Sequence, residues 1–173
     1  MSNESNLLME LIKYPNDILI TATQLFDFAN PQQDPYELSS TMLEKMNEHK
    51  SIGLSANQIG IPYRVFAMRG LDHNFVCFNP KLVFKSEEEN LLEEGCLSFP
   101  GVNVKIKRSN TVRLRFQTPS GRFDTKTFDG LTARVVQHEI DHLNGILFFN
   151  RANKYHRDRA MKGFYNGKTT IRT

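Results

Sequence analysis

Toward the C-terminal end of the chain stands Gln137-His138-Glu139-Ile140-Asp141-His142. On a helix of 3.6 residues per turn, positions 138 and 142 project from one face a single turn apart. Two imidazoles so placed can grip one metal ion, with the Glu139 carboxylate beside them and free for proton transfer. The competing assignment is a pair of core or capping histidines. A largely apolar helix argues against it, because each buried imidazole would need its own partner. A catalytic tetrahedral ion commonly takes three protein ligands and keeps one position open, so a third donor has to come from elsewhere. The chain has two cysteines, and Cys96 in Glu94-Gly95-Cys96-Leu97-Ser98-Phe99-Pro100 is the better candidate. Gly95 and Pro100 suggest a bent segment that could push a thiolate toward a helix. Cys77, inside Phe75-Val76-Cys77-Phe78, reads as a small buried hydrophobe. Spacing alone does not select the sulfur.

A third segment is Ser51-Ile52-Gly53-Leu54-Ser55-Ala56-Asn57-Gln58. Its small residues let a backbone pass close to something else, and Gln58 is a neutral donor able to hold a carbonyl oxygen. No phosphate-cradling loop or dinucleotide fingerprint is complete here.

The elements that must position these groups are legible in outline. Asp34 before Pro35, with Glu37 behind it, opens a helix over 35–49, and Leu38, Met42, Leu43 and Met46 give it one apolar stripe. Short strands are expected at 63–69, 74–78, 104–107, 112–116 and 122–128, the last two joined by the turn Thr118-Pro119-Ser120-Gly121. Glu87-Glu88-Glu89-Asn90 reads as a solvated loop. A second helix over 130–143, capped by Asp129 and stopped at Asn144-Gly145, is apolar on more than one side through Leu131, Val135, Val136 and Ile140. The expected fold is therefore α+β: antiparallel β-sheets and hairpins packed around a central metal-binding helix, with one further N-terminal helix.

The chain has 173 residues, 39% hydrophobic and 24% charged, which suits one globular domain with a core that needs no disulfides. No apolar run reaches the roughly 20 residues of a membrane span. Met1–Asn6 does not open a signal peptide, so a cytoplasmic protein with reduced thiols is expected. Residues 151–173 carry seven Lys/Arg against the single Asp158, while the rest of the chain is slightly acidic. The expected organisation is a catalytic domain over 1–150 and a basic tail over 151–173. Such a tail either keeps the protein solvated or attracts a polyanion.

Taken in order, Gly53-Leu54-Ser55-Ala56-Asn57-Gln58, Glu94-Gly95-Cys96-Leu97-Ser98 and Gln137-His138-Glu139-Ile140-Asp141-His142-Leu143-Asn144-Gly145 resemble the three motifs of the peptide deformylase family. Ile12–Leu19 resembles that family's opening strand and turn, and the resemblance spans about residues 10–150. It implies a metal held by Cys96, His138 and His142, with Fe(II) as the ion and Zn, Ni or Co as alternatives that suit the same donors. It further implies that Glu139 moves the proton, and that Gln58 and the Leu97 backbone N–H stabilise the developing oxyanion. The substrate it implies is an N-formylmethionyl nascent peptide, which loses its formyl group as formate.

The resemblance gives Ile52, Gly53 and Gly95 to peptide backbone binding, and Leu131 and Val135 to a methionine pocket beside the metal. Arg134 is expected to run its stem along that pocket with its charge outside, and Glu94 to brace the cysteine segment by pairing with Arg108. Ser51 and Ser55 stand where the family usually has Gly and Ala. Only 23 residues follow Asn150, so the family's long C-terminal helix is expected to be shortened or absent. Ribosome contact would then fall to the basic tail, and the enzyme is expected to be a monomer in bacterial or phage-infected cytoplasm, or in an organelle. A zinc endopeptidase is the rival class, but its third ligand usually follows the helix, where only His156 and Asp158 are available. A non-catalytic module on the same scaffold is the other rival, disfavoured by the complete set of reactive residues.

Overall fold

The computed structural model describes residues 9–165. Seven strands form two antiparallel sheets. The larger has the order β1 (Gly53–Ser55), β2 (Val65–Arg69), β3 (Asn74–Lys85), β6 (Thr111–Gln117), β7 (Phe123–Asp129), and the smaller is the hairpin β4 (Glu89–Cys96) and β5 (Phe99–Ser109). Helix α1 (Pro35–Glu48) lies on one face of the large sheet, α2 (Gly130–Leu143) on the other, and α3 (Lys154–Tyr165) packs on β5. None of the helices among the described residues is long and apolar enough to cross a membrane.

The period-2 alternation of β2 explains the layering. Phe66 and Met68 join Val136, Ile140 and Leu143 of α2 in one core. Val65 and Ala67 turn the other way, into a core with Leu38, Met42 and Met46 of α1. A third core gathers Phe99, Val102, Val104 and Ile106 of β5 with Phe148, Phe149 and Met161. The large sheet therefore serves as a wall against which α2 is held. The β4–β5 hairpin closes over α2 from another side.

Both expected helices form within a residue of their expected ends. Asp34 accepts from the backbone N–H groups of Tyr36 and Glu37, as an N-cap should. Asp129 occupies the N-cap position of α2 but does not cap with its side chain, which accepts instead from the Thr111 hydroxyl at 2.6 Å. Gly145 ends α2 in the left-handed region at φ 69°, where a Cβ would come within 2.7 Å of the Ile20 carbonyl oxygen.

Three expectations need correction. The acidic run is not all loop, since Glu89 and Asn90 begin β4, where pairing with Ser109 and Arg108 outweighs weak strand propensity. β3 continues through Lys85, past Pro80, because irregular register accommodates the proline. The segment around Ile12 to Leu19 holds no strand. Its N–H groups at Ile12 and Tyr14 reach the isolated carbonyls of Gln58 and Ser98, which are turn backbone and cannot extend a ladder. The tail, for its part, contributes a docked helix through Tyr165, with Met161 buried.

Candidate active site

The inward face of β4 and one face of α2 meet at three ligating atoms. His138 and His142, one turn apart on α2, place their Nε2 atoms 3.1 Å from each other, and Cys96 Sγ lies 3.2 Å from His142 Nε2. All three donor atoms lie within 4.8 Å of one another, and no other such cluster occurs among the described residues. Donors bound to one tetrahedral ion at about 2.0–2.3 Å sit roughly 3.5 Å apart, so the observed set fits a single ion with little movement. One thiolate and two imidazoles also leave the open fourth position that catalysis needs.

The electrostatics favour an ionised sulfur. Burial would raise the Cys96 thiol, yet the charge of His142 and hydrogen bonds from both histidines pull it down to about 5. His138 is lowered by burial, but hydrogen bonds to Cys96 and Glu94 outweigh that and raise it to about 10. Both shifts run in the direction that favours an ionised sulfur beside the imidazoles, and an ionised sulfur is the form that binds a divalent cation.

Behind the donors lies a buried ion-pair lattice. Glu94 lies two residues before Cys96 in β4, and Arg108 continues the buried alternation of Val102, Val104 and Ile106 in β5. Glu94 takes Arg108 Nε at 2.9 Å and Nη2 at 3.0 Å, Arg134 Nη1 at 2.7 Å, and His138 Nδ1 at 3.1 Å. Arg108 also pairs with Asp141, which Arg151 holds from outside at 2.7 Å. Burial pushes the Glu94 carboxyl up, but its bonds to His138 and Arg108 hold it well below the usual carboxylate range. The expected Glu94–Arg108 brace is therefore present, within a larger lattice.

Arg134 is the correction. Its guanidinium is not outside but buried, bonded to Glu94, the Ile106 carbonyl and Asn90. A charge this deep is tolerable only because Glu94 and two carbonyls are already in place. Asp141 was missed as a functional residue, and only its place inside the histidine motif could have pointed to it.

Glu139 is 3% exposed, and its Oε2 has no hydrogen-bond partner. Burial raises it to about 7, against the pull of His138 and His142. The β1 backbone passes so near that a Cβ on Gly53 would lie 2.5 Å from Glu139 Oε1. Gln58 is oriented by Ser55, whose N–H and hydroxyl both donate to its Oε1 at 3.1 Å. A backbone N–H accepts nothing, so Gln58 must turn its NH2 the other way, toward Ser98 Oγ at 3.1 Å and Cys96 Sγ at 3.5 Å. Ser51 Oγ donates to the Gly53 carbonyl at 2.5 Å, a bond that a glycine at 51 could not make.

These groups open onto a cleft of about 630 Å³. Gln58, Cys96, Leu97, His138 and Glu139 line it, as do Ile52, Gly53, Gly95, Leu131, Arg134 and Val135. Leu131 and Ile52 are exposed at the mouth, and Val135 is buried deeper. Lys13, Lys50, Ser51, Glu93 and Pro100 also line it, and the sequence motifs did not single them out for that wall. His156 and Asp158 lie on α3 and take no part in the cluster. Cys77 is fully buried and its thiol is pushed up by burial, so it is no ligand.

A family model described as polypeptide deformylase matches residues 8–158. The peptide deformylase of Afipia carboxidovorans is 40% identical over 132 residues, covering 73% of this chain and 77% of that protein. A structure of the Plasmodium falciparum peptide deformylase in complex with an inhibitor superposes with a TM-score of 0.82 at 30% identity, covering 91% of this chain and 97% of that one. A structure of the Synechococcus elongatus peptide deformylase in complex with actinonin gives 0.81 at 30% identity, over 89% and 84%.

Proposed function

The chain belongs to the polypeptide deformylase family, and on that premise we propose how its residues remove the formyl group from N-formylmethionyl nascent peptides and release formate. The reading rests on one observation above all: a cysteine sulfur and two imidazole nitrogens, remote in sequence, converge beside a buried carboxylate at the wall of a cleft.

Cys96, His138 and His142 would hold one divalent ion. When bound there, the ion supplies Lewis acidity and acidifies a water molecule. Glu139, buried and raised toward neutrality, accepts the proton of the attacking water through its free Oε2. As charge builds on the formyl oxygen, the Gln58 Nε2–H and the Leu97 backbone N–H donate to it. Glu139 then delivers the proton to the departing amine nitrogen.

Val135 and Leu131 receive the methionine side chain, while Ile52, Gly53 and Gly95 offer backbone groups to the peptide. Arg134 acts from within the cleft wall, its buried guanidinium fixing Glu94 and through it His138. The native ion is Fe(II), so aerobic handling lowers activity, and Ni or Co restores it. A preparation that keeps its iron and full activity in air would contradict this assignment.

Residues 1–150 form the catalytic unit of a monomeric, cytoplasmic enzyme, and the basic tail over 151–173 touches ribosomal RNA. Formyl-Met-Ala and an unblocked peptide, assayed side by side, test the reaction. Formate release without chain cleavage is expected, and cleavage of the unblocked peptide would instead favour an endopeptidase.

A further inference from the structure

The face of α2 that turns away from the reactive groups lines a second concavity. Gln137, Ile140, Asp141 and Asn144, at helical spacing i, i+3, i+4 and i+7, form one wall of a cavity of about 440 Å³. Arg64, Lys81, Lys85 and Lys107 come to it from the segment before β2 and from strands β3 and β5. Arg108 and Arg151 line it too, but Asp141 and Glu94 already satisfy their charges.

The other four cations have no such partner. None of Arg64, Lys81, Lys85 and Lys107 makes an ion pair among the described residues. Glu89 is the one lining carboxylate besides Asp141. Arg64 is the most telling member. It is half-buried and held in place by neutral acceptors alone, the Pro80 carbonyl at 3.1 Å, Asn144 Oδ1 at 2.8 Å and the Leu143 carbonyl at 3.5 Å. A guanidinium fixed in a partly dry wall without a counter-ion is pre-organised for an anion. The three lysines are exposed residues, and their long side chains can close on a charged guest from the rim.

We propose that this cavity binds a ligand bearing two or more phosphate groups, separately from the catalytic cleft. The pocket is of a size ordinary for small ligands, and its wall is polar, which suits an oligophosphate better than an apolar guest. Arg64 makes the oriented contact and the lysines add charge. The phosphates can come from a free oligophosphate or from an RNA strand laid across the rim.

Tripolyphosphate and a twelve-nucleotide uridine RNA, titrated against the metal-loaded full chain at 50 and 200 mM salt, separate those sources. The comparison protein carries Lys81→Gln, Lys85→Gln and Lys107→Gln. These side chains are exposed and unpaired, so formate release and thermal stability should be unchanged. Wild-type protein is expected to bind at least one probe, and the triple variant to bind it about tenfold more weakly. For RNA, the slope of log K against log salt should fall by about 2, at roughly 0.7 per lost contact. Tripolyphosphate binding identifies the compact source, and RNA binding alone identifies the strand. Equal binding by the triple variant, loss of binding only when Lys154, Arg157 and Arg159 are neutralised, or no binding of either probe at 50 mM salt would each overturn the proposal.

Discussion

On the side of α2 that meets the cleft, Glu139 Oε2 and His142 Nδ1 are buried without a hydrogen-bond partner. On the side that meets β5, every carboxylate oxygen of Glu94 and Asp141 is bonded to a guanidinium or an imidazole, and Arg134 Nε is the orphan. One helix thus carries a satisfied charge lattice and an unsatisfied reactive set a few residues apart. The satisfied lattice limits how far His138 can move, because its Nδ1 is tied to Glu94. The unsatisfied set keeps atoms in reserve for an ion, a water or a substrate. Buried polar groups without partners are costly, and at Glu139 the unpartnered oxygen belongs to a carboxylate that lines the cleft beside the ligating atoms.

The sharpest way to break this contrast is to remove the ion or its sulfur. Chelation, or Cys96→Ser, should abolish formate release, while circular dichroism keeps its native shape, because Cys96 only packs against the edge of the third core and serine is of similar size. Glu139→Gln should come next, lowering kcat by about 10²–10⁴-fold with one equivalent of metal retained by elemental analysis. Metal loss in that variant would move Glu139 from proton transfer to ligand support.

On the satisfied side the effect should fall on stability instead. Arg108→Gln leaves Glu94 and Asp141 short of a buried partner and should cost about 3–5 kcal/mol in urea unfolding. A fully stable variant with lost turnover would erase the distinction between the two sides. Gly53→Ala probes the contact between them and β1. Its new Cβ would lie 2.9 Å from Val135 Cγ1 and nearer still to Glu139, so about 1–3 kcal/mol of overpacking and a reduced kcat are expected. Asp34→Ala is the distant control, worth about 1 kcal/mol through the lost α1 cap, with kcat unchanged in a formate assay.

Much of the frame was legible before any coordinates. The apolar stripe of α1, the Asn144-Gly145 stop and the turn at 118–121 are all local signals, and each element formed where those signals lay. The two imidazoles followed from helix periodicity alone. The buried position of Arg134 was not legible, because a single arginine on an amphipathic helix looks the same whether solvent or a carboxylate from β4 meets it. β4 was missed for a related reason. Glu87-Glu88-Glu89-Asn90 resembles a solvated run until Ser109 and Arg108 of β5 pair with Glu89 and Asn90.

By itself the amino-acid order determined which side chains share a turn of helix and which alternate along a strand, since those relations need only backbone geometry. It also carried motifs specific enough to indicate the family. Packing alone decided that Cys96 Sγ comes within 3.2 Å of an imidazole 46 residues away, and that Glu94, Arg108, Arg134 and Asp141 neutralise one another between β5 and α2. Such meetings depend on how sheets and helices stack, and no local repeat in the chain encodes that distance.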